Sequence, residues 1–266
     1  LSLPLMKSLY SSSSGESFIE KVISFATKQL RTWTAGSVSD SSQLGSMHSL
    51  FTSLISKDEV LGTSISTKFL VPSLIQNIER VSIANQRSSI IQALHDILPL
   101  LPNEAVGILI CKPILRNTIP VQLNEISKAN ELVDSSTMKS LQMLRELTML
   151  LQSCLSHLDS KAIVKYYFHS NSGCIARLLS ESLETWQGST SDEIKSLCKE
   201  LLNEASILIC GIIGSLDARH YHEAMTLIEK ICSQVNDAYL SLVLHGSITG
   251  QGMNSFDPNE VMLLPG

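Results

Sequence analysis

Six apolar side chains recur at the α-helical period between residues 136 and 159, and no other feature constrains the fold as strongly. The stripe consists of Met138, Leu141, Leu144, Leu147, Leu151 and Leu155. A spacing of three or four residues puts them on one face of a helix of about five turns. Such a stripe must be covered by another element. Because similar stripes recur along the chain and alternating strand patterns are almost absent, the sequence predicts an all-α fold.

The other predicted helices are segments joined by short polar turns. They cover 16–32, 43–56, 66–84, 86–98, 104–116, 121–133, 161–168, 174–186, 191–216, 218–234 and 237–245. Pro72 lies inside the third of these, so that helix is expected to start just before the proline. Thr190 with Glu193 predicts a capping box for the helix from 191, and Asp217 is the predicted N-cap of the next helix. Stripes, caps and stops agree best over 136–234.

The pattern along the chain predicts three parts. A Ser-rich lead covers 1–15, one helical domain covers 16–246, and a flexible C-terminal tail covers 247–266. The longest apolar run, Ile207–Leu216, is about half of what a membrane-spanning helix needs, so no span is expected. Since the chain begins with Leu rather than Met, we expect it to be the C-terminal part of a larger protein.

Helix pairs joined by short turns over residues 64–246 resemble the armadillo/HEAT class of helical repeats. The resemblance is to the class and to no particular family within it. It implies stacked antiparallel helix pairs, an α-solenoid, and a curved surface open to a protein partner. An irregular helical bundle is the alternative that the residues leave open.

Three adjacent aromatic residues mark the candidate contact site. They belong to the run Lys165–His169, in which adjacent helical positions point in different directions, so one ring is expected to be exposed. Tyrosine is favoured at interfaces because both its ring and its hydroxyl serve there. Tyr166, Tyr167 and His169 are therefore the predicted protein-interaction residues, and the alternative is two rings in the core with one at its wet edge.

No catalytic, cofactor or metal motif is found in the sequence. His220 and His222 are two residues apart and diverge by about 200° on a helix, so they cannot share one ion. The six cysteines stand singly in apolar runs and are expected to be buried, reduced thiols, as in an intracellular protein. In Gly211–Gly214 the two glycines are expected to let a neighbouring helix approach closely.

These observations predict a non-enzymatic helical scaffold that mediates protein–protein interaction. A net charge of -5 spread along the chain provides no strong basic field for nucleic acid. A helical subunit of a chromosome- or nucleic-acid-associated complex nevertheless stays as an alternative, since scattered basic residues can gather on one face. A second alternative is an all-helical enzyme with an unmarked site.

Overall fold

The computed structural model describes residues 3–32, 59–78, 84–128, 134–168 and 172–233. All regular secondary structure in these ranges is helical, with no strand. The all-α prediction is therefore confirmed for this part of the chain. The helices predicted at 43–56 and 237–245 and the tail 247–266 lie outside the described residues.

The residues cluster into two compact units, a division that the sequence did not indicate. Unit 1 comprises Leu1–Ile114 with Ser156–Leu158, and unit 2 comprises Leu115–Leu155 with Asp159–Gly266.

Within the described part of unit 1 there are six α-helices, numbered in chain order. They are α1 (Leu3–Tyr10), α2 (Ser13–Thr32), α3 (Glu59–Ile65), α4 (Val71–Ile78), α5 (Ala84–Ile97) and α6 (Asn103–Val106). Helix α4 contacts α2, α5 and a π-helical segment at Gly107–Cys111. The core includes Leu74, Ile90 and Leu94, all almost fully buried.

Helix α1 lies inside the segment expected to be a Ser-rich lead, and Gly15 explains how it packs. A Cβ atom added at Gly15 would collide with the backbone of Leu9, including its carbonyl oxygen. The Ser12 hydroxyl accepts a hydrogen bond of 3.1 Å from the Gly15 amide, which helps to start α2. The Ser-Ser-Ser-Ser-Gly run is thus a tight connection between two helices, and the lead is helical over Leu3–Tyr10.

Prolines and π-helical segments coincide in this fold. Three of the four π-helical segments of the described chain end two residues before a proline: Ser66–Leu70 before Pro72, Gly107–Cys111 before Pro113 and Ile114–Thr118 before Pro120. A proline lacks the amide hydrogen and its ring collides with the carbonyl four residues earlier. A turn widened to the i→i−5 pattern relieves that collision. The expected start of a helix near Pro72 is wrong, because α3 begins at Glu59 and the helical path continues through the widened turn.

The described residues of unit 2 form six further α-helices. They are α7 (Ile119–Lys128), α8 (Asp134–Leu155), α9 (Ser160–Ile163), α10 (Ser172–Gly188), α11 (Asp192–Gly214) and α12 (Ala218–Ser233), whose first turn is a 3₁₀-helix. The fourth π-helical segment, Val164–Phe168, follows α9. Helix α7 contacts α8 and α10, and α11 contacts the same two helices.

The leucine stripe of α8 forms the centre of unit 2. Leu141, Leu144, Leu147 and Leu151 are completely buried, as the helical spacing predicts. The predicted helix N-caps agree less closely with the structure. Asp217 accepts a 3.1 Å hydrogen bond from the Arg219 amide, as expected, but the N-cap of α11 is Ser191 and not Thr190.

Candidate interaction surface

Helices α8 and α11 are joined along their exposed edge by two polar contacts. Arg145 forms an ion pair of 2.8 Å with Glu200. Two turns further along α8 and one turn further along α11, the Gln152 amide donates to the Glu204 carboxylate at 2.9 Å and to the Glu204 carbonyl at 2.7 Å. Because both contacts advance in the same direction along the two helices, α8 and α11 run parallel here.

Two exposed apolar side chains lie on the same stripes as these polar contacts. Met149 is spaced four residues after Arg145 and three before Gln152, and Ile207 follows Glu204 by three. Positions with this spacing share one helix face. Met149 is 41% exposed and Ile207 is 48% exposed. We call this surface the α8–α11 seam, and it consists of Arg145, Met149, Gln152, Glu200, Glu204 and Ile207.

Gly211 explains the close approach of the two helices beyond the seam. A Cβ atom at this position would lie 3.0 Å from the Leu155 Cδ1 atom. The prediction that a glycine here allows a neighbouring helix to approach closely is confirmed at Gly211. It is wrong at Gly214, where an added Cβ would have no neighbour within 4 Å.

A second set of polar contacts joins α7 to α10. The Arg177 guanidinium donates to the Asn124 side chain at 3.1 Å and forms an ion pair with Glu181 at 3.0 Å. The Ser127 hydroxyl donates to the same carboxylate at 2.6 Å. Partial burial, and then the charge of Glu181, raise the pKa of the Glu184 carboxyl. The contacts of Arg177 and Ser127 hold the two helices together.

The three adjacent aromatic rings of the run Lys165–His169 are buried. Tyr166 is 5% exposed, Tyr167 1% and Phe168 7%. The Tyr167 hydroxyl donates a hydrogen bond of 2.8 Å to the Leu151 carbonyl, and a tyrosine whose hydroxyl has a partner tolerates full burial. The expectation of an exposed ring is therefore wrong. A contact role for Tyr166 and Tyr167 stays a prediction that their burial does not support, and His169 lies outside the described residues.

The histidine-rich start of α12 is a local capping network. Asp217 forms an ion pair of 2.6 Å with Arg219, and this hydrogen bond lowers the pKa of the Asp217 carboxyl. The His220 ring lies 3.4 Å from the Glu223 carboxylate. Within the described ranges, no three histidine, cysteine or acidic side chains come together as ligands for a metal ion.

The six cysteines divide by environment. None forms a disulfide bond; Cys111, Cys154 and Cys198 are buried, Cys174 is half-buried, and Cys210 and Cys232 are exposed. The expectation of uniform burial is wrong for the last two, because each lies on an outer helix face. Burial raises the pKa of both the Cys174 and the Cys198 thiols to about 12.

Among the described helices, none alone has the length and apolar composition needed to cross a membrane. Helices α11 and α12 meet that criterion only when taken together, and they are bent by 114° relative to each other.

Sequence reasoning missed the seam, although its signal is visible in the sequence. Two sets of residues at spacings of three and four, at 145–152 and 200–207, each mix charged and apolar types. Helical periodicity does not specify which helices are neighbours in the fold.

No family model, curated protein or solved structure matches this chain.

Proposed function

We propose that the chain is a non-enzymatic helical scaffold of the armadillo/HEAT type, with stacked helix pairs, that binds a protein partner along the α8–α11 seam. Six cysteines without a disulfide bond, two of them exposed, fit a reducing, intracellular environment.

The observation that carries this proposal is a separation of 52 to 57 residues that recurs in most of the polar contacts between helices. The polar contacts joining α7 to α10, α8 to α11, and Ser160 to Ser215 and Asp217 connect residues 52 to 57 apart. In unit 1 the Glu16–Lys68 and Tyr10–Ser64 contacts are 52 and 54 apart. A recurring separation is expected when each helix stacks on its counterpart in the next unit, and 52 to 57 residues is longer than the usual repeat of 20 to 45 residues.

The composition of the seam fits a protein partner. Met149 and Ile207 supply exposed apolar area, and Arg145 and Glu200 flank it with charges of both signs. Protein interfaces have this arrangement of an apolar centre and a polar rim. The apolar positions are few and lie on two parallel helices. The seam therefore fits an amphipathic helix whose own apolar stripe packs between Met149 and Ile207.

The test is capture of a partner by the immobilised chain and by two variants. Met149→Gln with Ile207→Gln alters the seam, and Val121→Gln changes one exposed side chain of α7, 53% exposed, as the control. We expect at least one protein to be retained stoichiometrically by the wild type and by the control, and to be lost from the seam variant. Equal retention by all three, or no retained protein, would overturn the proposal.

A further inference from the structure

Helix α12 carries two apolar stripes, and only one of them packs into unit 2. Ala224 and Leu227 are 6% and 1% exposed and belong to the inner stripe. Ile228, the residue after Leu227, is 36% exposed. It belongs to an outer stripe with other exposed residues, and these are Tyr221 (67%), Met225 (37%) and Cys232.

The outer stripe has the spacing of a coiled-coil seam. Tyr221, Met225, Ile228 and Cys232 are separated by four, three and four residues, so their side chains fall within an arc of about 60° on the helix. Alternation of three and four is the pattern that lets two helices pack side by side.

Polar side chains beside the outer stripe can pair across a two-fold axis. His222 and Glu229 are both exposed and, seven residues apart, lie on the same flank of the stripe. In an antiparallel pair of identical helices, a residue near the start of one helix lies beside a residue near the end of the other helix. His222 of one copy then meets Glu229 of the other, and two-fold symmetry forms this contact twice.

We propose that two copies of this chain pair antiparallel through the outer stripe of α12. Met225 of each copy packs against Ile228 of the other at the centre, and Tyr221 packs against Cys232 at both ends. One helix face from each copy makes an interface below about 1,200 Å², which is typical of weak, reversible association. The dimer therefore forms in the micromolar range.

Sedimentation velocity over about 1 to 300 μM, a range set by that weak-affinity class, tests the pairing. We expect wild-type chain to shift from monomer to dimer, and Met225→Glu and Ile228→Glu to stay monomeric at the top concentration. Thr226→Glu, at an exposed position away from the stripe, is the control and should dimerise like the wild type. Circular dichroism confirms that each variant is folded. A wild-type chain that stays monomeric throughout, or a dimer that persists in both stripe variants, would overturn the proposal.

A cysteine pair tests the direction of the two helices. In a Cys210→Ala background, Tyr221→Cys places a thiol opposite Cys232 of the other copy. With copper phenanthroline as the oxidant, the two thiols lose two protons and two electrons and form a covalent dimer. Cross-linking that requires Tyr221→Cys supports the antiparallel pair. Efficient cross-linking through Cys232 alone, or none in either protein, would contradict it, and neither result depends on capture of a partner at the α8–α11 seam.

Discussion

The Tyr167 hydroxyl donates a hydrogen bond of 2.8 Å to the carbonyl oxygen of Leu151, deep in unit 2. Leu151 lies in the last turn but one of α8, and Tyr167 lies in the π-helical segment that follows α9. The bond thus connects a segment of irregular helix to the most regular helix of the unit.

Removing this hydroxyl should destabilise unit 2 without changing its fold. We expect Tyr167→Phe to lower the free energy of unfolding by about 1 kcal/mol, the usual net value of a buried hydrogen bond. Urea denaturation followed by circular dichroism measures the change. Tyr221→Phe, at a ring that is 67% exposed, is the matched control and should change the stability by less than about 0.5 kcal/mol. Equal effects of the two substitutions would show that the buried bond is unimportant.

Gly15 should be intolerant of any side chain. An alanine Cβ would collide with the Leu9 backbone, and a backbone cannot rotate away as a side chain can. Gly15→Ala should therefore cost about 2–3 kcal/mol. Gly214→Ala is the control, because nothing lies within 4 Å of its Cβ, and it should stabilise the protein by about 0.5 kcal/mol through lower unfolded-state entropy. Thermal unfolding of both variants compares them, and a neutral Gly15→Ala would refute the close contact.

The cysteines should react in two groups. In the native protein, Cys210 and Cys232 should be labelled by a maleimide at pH 7, whereas Cys111, Cys154 and Cys198 should become reactive only on unfolding. Mass spectrometry of peptides after a timed pulse identifies the labelled thiols. Rapid native labelling of Cys198 would contradict its burial.

Alkali should weaken the fold through the two thiols whose pKa is raised. Burial raises the pKa of Cys174 and Cys198 to about 12, above the value of about 8.5 in an unfolded chain. As the pH rises from about 9 towards 12, the unfolded chain ionises first and is favoured, so the stability that these neutral thiols contribute is lost.

The comparison is between wild type and Cys174→Ala with Cys198→Ala, unfolded in urea at pH 8 and at pH 10. We expect the wild type to lose more stability than the double variant over this interval. Cys210→Ala with Cys232→Ala, at the exposed thiols, should behave like the wild type. An identical pH dependence in all three proteins would argue against the raised pKa values.

The ion pair of the seam should contribute little to stability. Arg145 and Glu200 have side chains that are 40% and 45% exposed, so water and salt screen their attraction. A double-mutant cycle with Arg145→Ala and Glu200→Ala should give a coupling below about 1 kcal/mol. A larger coupling that is unaffected by 1 M NaCl would show that the pair is less solvated than its exposure indicates.

Much of the fold follows from local sequence. The α8 stripe and the Asp217 cap are correct because each depends on contacts within a few residues. The sequence does not predict the start of α3, because Pro72 indicates a helix boundary and the structure accommodates it in a π-helical turn. It does not predict α1, because serine and glycine are common in loops. Helical periodicity alone carries no information about either outcome.

The candidate surface was harder to predict for a different reason. Tyr166 and Tyr167 have the right residue type for an interface, but the position of a neighbouring carbonyl decides that Tyr167 is buried. Met149 and Ile207 resemble core residues of their helices, and only the parallel register of α8 and α11 places them at the exposed edge. Ile228 differs from Leu227 by one position, and about 100° of rotation moves it out of the core.

The separation of 52 to 57 residues between contacting helices also has a kinetic consequence. Each contact closes a loop of similar, moderate size, and loop-closure entropy grows only with the logarithm of loop length. None of these contacts pairs residues from opposite ends of the described chain. A ribosome-bound chain can accordingly complete one helix pair while the next is still being synthesised.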